Sequence, residues 1–300
     1  MVFPRSLYTV PLPDGRTLEL GARTLIMAVV NVTPDSFADG GVRWDPDVAI
    51  ADAIQMAADG ADIVDIGGES TRPGAPAVSA DDEWQRVEPV LAGLRGRIPI
   101  PVSIDTYKAS VADRALALGA TIVNDISALT YDPDLASVVA ARGAAIVLMH
   151  NRGRSARMYE HAAYGDVVAE IVRELGERDG AARDAGIPGE RVIVDPGLGF
   201  AKRAEHSMAA LAGLEQLAAL DRPVLVGPSR KSFLQAAIGD VPPAGRLWGT
   251  AAAITAAVLW GAHIIRVHDV TAMRDVARVA DALRTAANGR ASHPSGAPDV

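Results

Sequence analysis

Side chains that could bind a polar, anionic ligand follow short apolar segments throughout this 300-residue chain. Carboxylate or amide residues end several of these segments, and basic residues follow the last two: Asn31, Asp105, Asn124, Asp125, Asp195, Ser229, Arg230, Lys231, Arg266 and His268. Carboxylates and amides that end apolar strands call for a ligand part with many hydrogen-bond donors, whereas lysine and arginine suit a phosphate or diphosphate part. The pattern indicates a ligand that combines both groups.

Each of these residues also has a simpler interpretation. Asp105, Asn124 and Asp195 could cap helices, because Asp and Asn favour that position. His268 alone is more typical of a buried structural histidine, and Asp39 lies in a glycine-containing loop that favours a solvated turn. Together, however, the strand-end groups would be desolvated at high cost unless a ligand filled the space between them. Their coincidence therefore favours one shared cavity.

Eight apolar runs, each too short for a helix and bounded by turn residues, predict parallel strands covered on both faces. Stretches rich in Ala, Leu and Arg, with helical spacing, lie between them. The predicted strands are Leu25–Val32, Asp62–Ile66, Pro101–Ile104, Thr121–Ile126, Ala145–Met149, Val192–Val194, Pro223–Val226 and Ile264–Val267.

This alternation predicts an α/β fold, a single (β/α)8 TIM barrel with an N-terminal β-hairpin. We expect one domain over residues 1–287, with the hairpin at 7–20, the barrel from residue 25 and a disordered tail at 288–300. The carboxyl ends of barrel strands ring one mouth, so the polar residues above should meet there. An open doubly wound sheet is the alternative, but it would not normally carry eight units, and its glycine fingerprint is missing.

Composition excludes several classes of function. The 29 Lys and Arg against 37 Asp and Glu give a net charge of −8, which weighs against nucleic acid as a partner. The lack of cysteine excludes disulfides and thiol nucleophiles and fits a reducing compartment. The most apolar stretch, Ala251 to Ile265, is too short to cross a membrane and is typical of a buried helix that leads into a strand. We expect a cytoplasmic protein.

From Leu25 to Ala282 the sequence resembles the dihydropteroate synthases, the folate-pathway enzymes that sulfonamides target. A lone Asp-Pro-Gly would be a weak signal, but seven motifs in order at the strand ends are specific. They are Asn31–Gly41, Gly60–Gly74, Ile104–Thr106, Asn124–Ile126, Asp195–Phe200, Ser229–Phe233 and Arg266–Val270.

The resemblance implies condensation of 7,8-dihydropterin-6-ylmethyl diphosphate with 4-aminobenzoate, which gives 7,8-dihydropteroate and pyrophosphate. It also implies Mg²⁺ as the cofactor, a homodimer, and early C–O cleavage that leaves a cationic pterin methylene. The catalytic residues would be Asp105, Lys231, Arg266 and Asp39. Asn31 would lie by the metal, and the substrate-binding residues would be Thr71, Arg72, Pro73, Asn124, Asp195, Phe200, Ser229, His268, Phe37 and Met149.

Two other functions fit the same motifs. A pterin-binding paralogue without synthase activity would keep the pterin pocket and could differ from a synthase in a single loop. A methyltetrahydrofolate-dependent methyltransferase shares the barrel and the pocket but has no need for basic residues suited to a diphosphate after strands seven and eight. Three positions depart from the family's usual pattern, namely Pro228, Asn151 and Trp248.

Overall fold

The computed structural model describes residues 2–33, 45–70, 74–153 and 159–291, and side chains as far as residue 288. A two-stranded antiparallel hairpin, β1 (Tyr8–Pro11) and β2 (Thr17–Leu20), precedes eight parallel strands. These are β3 (Leu25–Asn31), β4 (Ile63–Gly67), β5 (Val102–Asp105), β6 (Ile122–Asp125), β7 (Ala145–Met149), β8 (Val192–Asp195), β9 (Leu225–Val226) and β10 (Ile264–Val267). The strand bounds differ from the sequence-based ones by at most two residues.

The eight strands close into a barrel. Their order is β8-β7-β6-β5-β4-β3-β10-β9, and all neighbours are parallel. An isolated bridge between Val194 and Val224 joins the two ends of this order, and the Val194 N–H donates to the Pro223 carbonyl over 3.0 Å. The predicted TIM barrel with an N-terminal hairpin is confirmed.

Helices follow the strands around the barrel: α1 (Pro46–Ala58), α2 (Ala80–Leu94), α3 (Ala109–Ala117), α4 (Leu135–Arg142), α5 (Val167–Asp184), α6 (Ala204–Ala212), α7 (Gln235–Ile238), α8 (Leu247–Leu259) and α9 (Val270–Ala291). Local sequence explains several starts. The Asp45 side chain accepts from the Asp47 N–H, and the Asp166 side chain accepts from the N–H groups of Val168 and Ala169.

The last helix, α9, continues to Ala291. Residues 288–291, which the sequence placed at the start of a disordered tail, are part of this helix. Residues 292–300 lie outside the described part of the chain. Helical propensity explains the difference, because the segment leading into the tail contains alanine and arginine, which continue a helix readily.

The barrel interior has two layers. Strand side chains alternate between the helices and the interior, so every second residue points inward. Low in the barrel the inward residues are apolar, and the hairpin residues Val10, Leu12, Leu18 and Leu20 pack against them: Leu25, Met27, Ile63, Ile122, Ala145, Val147, Ile193, Leu225 and Ile264. The hairpin thus closes the amino-terminal end of the barrel and leaves the carboxyl-terminal mouth for polar residues. Within the described ranges, no helix is long and apolar enough to cross a membrane.

Candidate functional site

The alternation of inward and outward side chains along the strands brings polar groups together. They lie two residues further along the strands than the apolar layer, towards the carboxyl-terminal mouth. On β4, Ile63 points inward, and so does Asp65 two residues later. On β6, Asn124 follows the inward Ile122, and the register places it beside Asp105 at the end of β5. Strand geometry alone therefore lines the mouth with carboxylate and amide groups from neighbouring strands.

Arg266 lies at the centre of this polar layer. Its Nε donates to Asp65 Oδ2 over 2.6 Å, and its Nη2 donates to Asp105 Oδ2 over 2.7 Å. Asn124 Nδ2 donates to the same Asp65 oxygen over 2.9 Å, which fixes the orientation of the amide. The Arg266 guanidinium, on β10, thus connects to residues of β4 and β5. The side-chain oxygen Oδ1 of Asn124 and its second amide N–H remain for a ligand.

Asp65 is a residue of this site that our sequence reasoning missed. Its side chain is fully buried, and its Oδ1 has no hydrogen-bond partner among the described residues. The signal was present in the sequence, because Asp65 interrupts the apolar run Ile63–Ile66. A carboxylate in such a run is costly unless a cation compensates it, and that cation is Arg266.

A second part of the site forms after β8. Asp195 ends the strand, is 5% exposed, and accepts the Gly197 N–H on Oδ1 over 2.7 Å. Lys231 lies opposite, where its ammonium donates to the Leu198 carbonyl and lies 4.6 Å from the centre of the Phe200 ring. Asp195, Lys231 and Phe200 are therefore neighbours, as the shared-mouth prediction requires.

The residues that follow β9 and β10 meet at the adjacent side of the mouth. Ser229 Oγ lies 3.0 Å from His268 Nδ1 and accepts the His268 N–H over 3.2 Å. Arg230, counted in the sequence as part of a cationic cluster, instead pairs with Asp269 through two hydrogen bonds of 3.0 and 2.5 Å. Its charge is thus partly neutralised, so the anion-binding character of this side is weaker than the sequence suggested.

Asp125 does not join the polar layer, although it follows Asn124 directly. Period-two alternation turns its side chain outward, where Oδ1 accepts from the Ser127 N–H and hydroxyl, both over 2.7 Å. Its Oδ2 accepts the Leu129 N–H over 2.6 Å. Asp125 therefore shapes the loop after β6 and has a structural role.

A small apolar cluster completes the mouth. Met149, Tyr107 and Ile126 are buried together, with Phe200 and Tyr131 packed against them. This cluster is separate from the apolar layer low in the barrel. It brings the predicted residues Met149 and Phe200 together and offers a flat ligand an apolar surface beside the polar groups.

Burial shifts the pKa values of several groups in the mouth. It raises the pKa of Asp105 to about 7, against the lowering effect of Arg266, and it raises the pKa of Asp195 as well. It lowers the pKa of Lys231 to about 8, although the Asp195 carboxylate acts in the other direction. For Arg266 burial opposes the charged form, but Asp65 and Asp105 outweigh it and raise the pKa. Such perturbed groups in a cleft are typical of functional sites.

Several predicted site residues cannot be placed. Phe37 and Asp39, with Thr71, Arg72 and Pro73, lie outside the described residues. Asn31 is described: it ends β3, faces Gly67 of β4 in the register and is partly exposed. In the described ranges no group of three or more His, Asp or Glu side chains could hold a metal ion.

The geometry suits a flat heterocycle with hydrogen-bonding edges. Asp195 offers an acceptor in Oδ2, which has no hydrogen bond from the described residues, and Asn124 offers both a donor and an acceptor. Lys231 and Arg266 supply positive charge beside them. The same arrangement could stabilise charge that changes during bond cleavage at an anionic arm of the ligand.

Comparison with known proteins agrees with this geometry. The family model described as pterin binding enzyme matches residues 27–268. A dihydropteroate synthase of Synechocystis sp. is 46% identical over 274 residues, which cover 91% of this chain and 95% of that protein.

Solved structures give the same result. A dihydropteroate synthase structure from Xanthomonas albilineans with 4-aminobenzoic acid matches with a TM-score of 0.83 and 40% sequence identity. The match covers 95% of this chain and 100% of the Xanthomonas chain. The same organism's enzyme in complex with 7,8-dihydropteroate has a TM-score of 0.81 at 39% identity, with 91% and 99% covered. This chain therefore belongs to the pterin-binding enzyme family and, within it, to the dihydropteroate synthases.

Proposed function

We propose that this chain condenses 7,8-dihydropterin-6-ylmethyl diphosphate with 4-aminobenzoate to form 7,8-dihydropteroate and pyrophosphate. The observation that carries the proposal is the convergence of Asp65, Asn124, Asp195, Lys231 and Arg266 at one barrel mouth. A related enzyme binds 7,8-dihydropteroate, the product of this condensation. The chain is accordingly a transferase of folate synthesis.

The pterin ring would lie between the two parts of the site. Asp195 Oδ2 would accept hydrogen bonds from the 2-amino group and N3–H of the pyrimidine edge. Asn124 would bind the ring through its side-chain oxygen Oδ1 and its second amide N–H, because the first amide N–H already donates to Asp65. Lys231 would donate to the ring on the carbonyl side, in place of its present bond to the Leu198 carbonyl.

Arg266 would serve both parts of the substrate. Its guanidinium is planar, so it can stack on the pterin and still pair with the diphosphate through its remaining N–H groups. Asp65 and Asp105 hold that plane in place before substrate arrives. His268 would contact the diphosphate from the adjacent side, together with Thr71 and Arg72 from the loop after β4, and Ser229 would line the 4-aminobenzoate site.

Magnesium fits the described residues only as an ion held largely by the substrate. Asn31 offers one amide oxygen, a suitable ligand for a hard cation, and Asp39 would offer a carboxylate. Mg²⁺ commonly takes one or two protein oxygens and completes its shell with water and phosphate. When bound, it would neutralise charge on the departing diphosphate.

The protein residues would then stabilise the change in charge. As the C–O bond breaks early, positive charge develops on the pterin methylene, and the carboxylate form of Asp105 stabilises it. Phe200, Met149, Phe37 and Pro73 would line the 4-aminobenzoate site. The aromatic amine attacks without a strong general base, because its proton becomes acidic once the new C–N bond forms.

Pyrophosphate release tests this function. The protein is incubated with pterin diphosphate, 4-aminobenzoate and Mg²⁺, and released pyrophosphate is measured, with each component omitted in turn. Release that requires both substrates supports the synthase. Binding of the pterin without release would identify a pterin-binding paralogue, and methyl transfer from methyltetrahydrofolate would identify the methyltransferase.

We also propose that the enzyme acts in the cytoplasm as a homodimer. The absence of cysteine from the 300 residues is consistent with a reducing compartment. Trp248, at the start of α8, is 80% exposed, and large exposed aromatic side chains are enriched where proteins associate. A second copy of the chain is the partner that the family resemblance implies.

A further inference from the structure

Lys202 is a buried lysine that the proposed reaction does not use. Its side chain is 1% exposed and is the largest fully buried side chain among the described residues. Nζ lies 3.1 Å from the carbonyl oxygens of both Gly197 and Phe200 and 3.3 Å from that of His150. It also lies 2.8 Å from His150 Nδ1. A lysine is rarely buried in this way unless several acceptors compensate it.

The groups around Lys202 Nζ are hydrogen-bond acceptors: three backbone carbonyl oxygens and a histidine nitrogen. Carbonyl oxygens can only accept, so Lys202 Nζ supplies the protons. Burial lowers the pKa of Lys202 well below its ordinary value, although the Asp195 carboxylate acts in the other direction. His150 Nδ1 accepts when the ring proton is on Nε2, and Nε2 then donates to Glu174 Oε2 over 3.0 Å. The low pKa of His150, about 4 through burial and through the nearby Lys202 charge, keeps this ring neutral. Four acceptors surround Nζ, which has at most three N–H groups, so at least two acceptors share one N–H.

The two carbonyls that Lys202 contacts belong to the loop that follows β8, from Pro196 to Phe200, which we call the β8 loop. The strand residue before this loop packs against the end of β7, because the His150 N–H donates to the Asp195 carbonyl over 2.8 Å. At Gly197, with φ of +66°, a Cβ would lie 2.0 Å from the His150 carbonyl oxygen, so only glycine fits. The β8 loop therefore has one tight path, and Lys202 lies beneath it.

Two lysines donate hydrogen bonds to carbonyl oxygens of the β8 loop from opposite sides. Lys202 donates to the Gly197 and Phe200 carbonyls from inside the protein, and Lys231 donates to the Leu198 carbonyl from the mouth. In the proposed reaction Lys231 turns to the pterin and leaves the loop. Among the described residues, the Lys202 side chain then still donates to the loop, and through the loop it holds the Phe200 ring beside the 4-aminobenzoate site.

We propose that Lys202 is a positioning residue for 4-aminobenzoate: by holding the β8 loop from below, it fixes Phe200 at the second-substrate site. This inference rests on the proposed synthase function. It separates the roles of the two lysines, since Lys231 contacts substrate and Lys202 acts only through the loop. Its loss should therefore affect the second substrate much more than the first.

The test is a steady-state comparison of Lys202→Met with the wild type. Methionine is unbranched and of similar length but cannot donate, so the Phe200 carbonyl loses its partner and the Gly197 carbonyl keeps only the Phe200 N–H. We expect KM for 4-aminobenzoate to rise at least 10-fold while KM for the pterin diphosphate changes less than 3-fold. Lys202→Gln, which retains N–H donors, should give an intermediate KM, a partial rescue that general destabilisation would not produce.

Arg284→Met is the matched control. Arg284 is 7% exposed and donates from Nη2 to the carbonyls of Gly21 and Ala22, each over 3.1 Å, near the closed end of the barrel. It is also a buried cation that holds backbone carbonyls, but far from the mouth. This variant should lower Tm and leave both KM values unchanged.

Several outcomes would overturn the proposal. They are a lower Tm in Lys202→Met with both KM values unchanged, equal rises in both KM values, and a similar KM effect in the control. If Lys202→Met does not fold, the same criteria apply to Lys202→Gln. If the wild type releases no pyrophosphate, the proposed function fails, and calorimetric binding of 4-aminobenzoate to wild type and variant decides the role of Lys202.

Discussion

Asp65 and Arg266 form an ion pair inside the barrel mouth, with Arg266 Nε donating to Asp65 Oδ2 over 2.6 Å. The carboxylate is fully buried, and the guanidinium side chain is 21% exposed. The same carboxylate oxygen accepts from Asn124 Nδ2. One carboxylate thus orients the arginine proposed for the diphosphate and the amide proposed for the pterin, and it links the two halves of substrate recognition.

Replacing Asp65 tests this link. Asp65→Asn removes one charge of a buried pair and leaves Arg266 only partly compensated, so we expect a stability loss of about 3 kcal/mol. Binding of the pterin should weaken by roughly 10-fold, because Asn124 loses a charge-assisted hydrogen bond. Urea unfolding and calorimetry measure the two effects. Unchanged pterin affinity in a folded variant would contradict the orienting role.

Asp195 should be the main anchor of the pterin. In Asp195→Ala the donors of the pyrimidine edge lose their acceptor, and we expect a loss of affinity of roughly 10- to 100-fold, as for a hydrogen bond to a charged group. Asp113→Ala is the control, because Asp113 is an exposed carboxylate paired with Arg142 on the outside of the barrel. Calorimetric binding equal to wild type in Asp195→Ala would remove this residue from the pocket.

Arg266→Lys tests whether Arg266 binds the substrate through stacking and bidentate pairing or only through its positive charge. Lysine keeps the charge but offers no planar group to stack on the ring. We expect the variant to lose more affinity for the pterin diphosphate than for a pterin without phosphate. The comparison uses both ligands under identical salt conditions. Equal losses would show that the arginine does not serve the anionic arm.

The raised pKa of Asp105 predicts a pH dependence of stability. Its ordinary value of 3.8 is raised to about 7 in the folded protein, so the folded state binds this proton more tightly than the unfolded chain does. The contribution of this proton to the free energy of unfolding is complete below pH 3.8, and it is lost as the pH rises from 3.8 through about 7.

Asp105→Asn cannot lose a proton in this range. We therefore expect its free energy of unfolding to decline less than that of the wild type between about pH 4 and pH 8, as measured by urea unfolding at each pH. Parallel curves for the two proteins would show that Asp105 does not titrate as its burial indicates.

The proposed homodimer can be tested at Trp248. If this exposed side chain packs against a second copy, Trp248→Ser should raise the dimer dissociation constant by roughly 10-fold or more, as for a central interface aromatic. Light scattering over a dilution series measures the shift. Tyr159, another exposed aromatic residue at 43%, provides the control variant Tyr159→Ser. A wild type that is monomeric at all concentrations would refute the dimer.

Much of the fold could be predicted because its causes are local. The run Ala145–Met149 was predicted with the bounds that the structure gives, since a short apolar run between turn residues has few alternatives. The stretch from Ala204 to Leu220 lies between two predicted strands and has helical spacing, but it divides at Gly213 into α6 and a 3-10 helix over Leu214–Leu220. A glycine within a helical pattern weakens the pattern, but whether the chain turns there depends on what it packs against.

The sequence by itself determined the barrel, its apolar interior and the ring of polar strand ends, because strand periodicity and turn chemistry act over a few residues. Only the tertiary structure decided which charges meet. Arg266 pairs with Asp65 and Asp105, which lie 201 and 161 positions away in the chain, and Arg230 pairs with Asp269. Lys202 likewise has no sequence pattern that marks it as buried. Such partners follow from barrel closure, which brings distant strands within hydrogen-bonding distance, and spacing along the chain does not encode that distance.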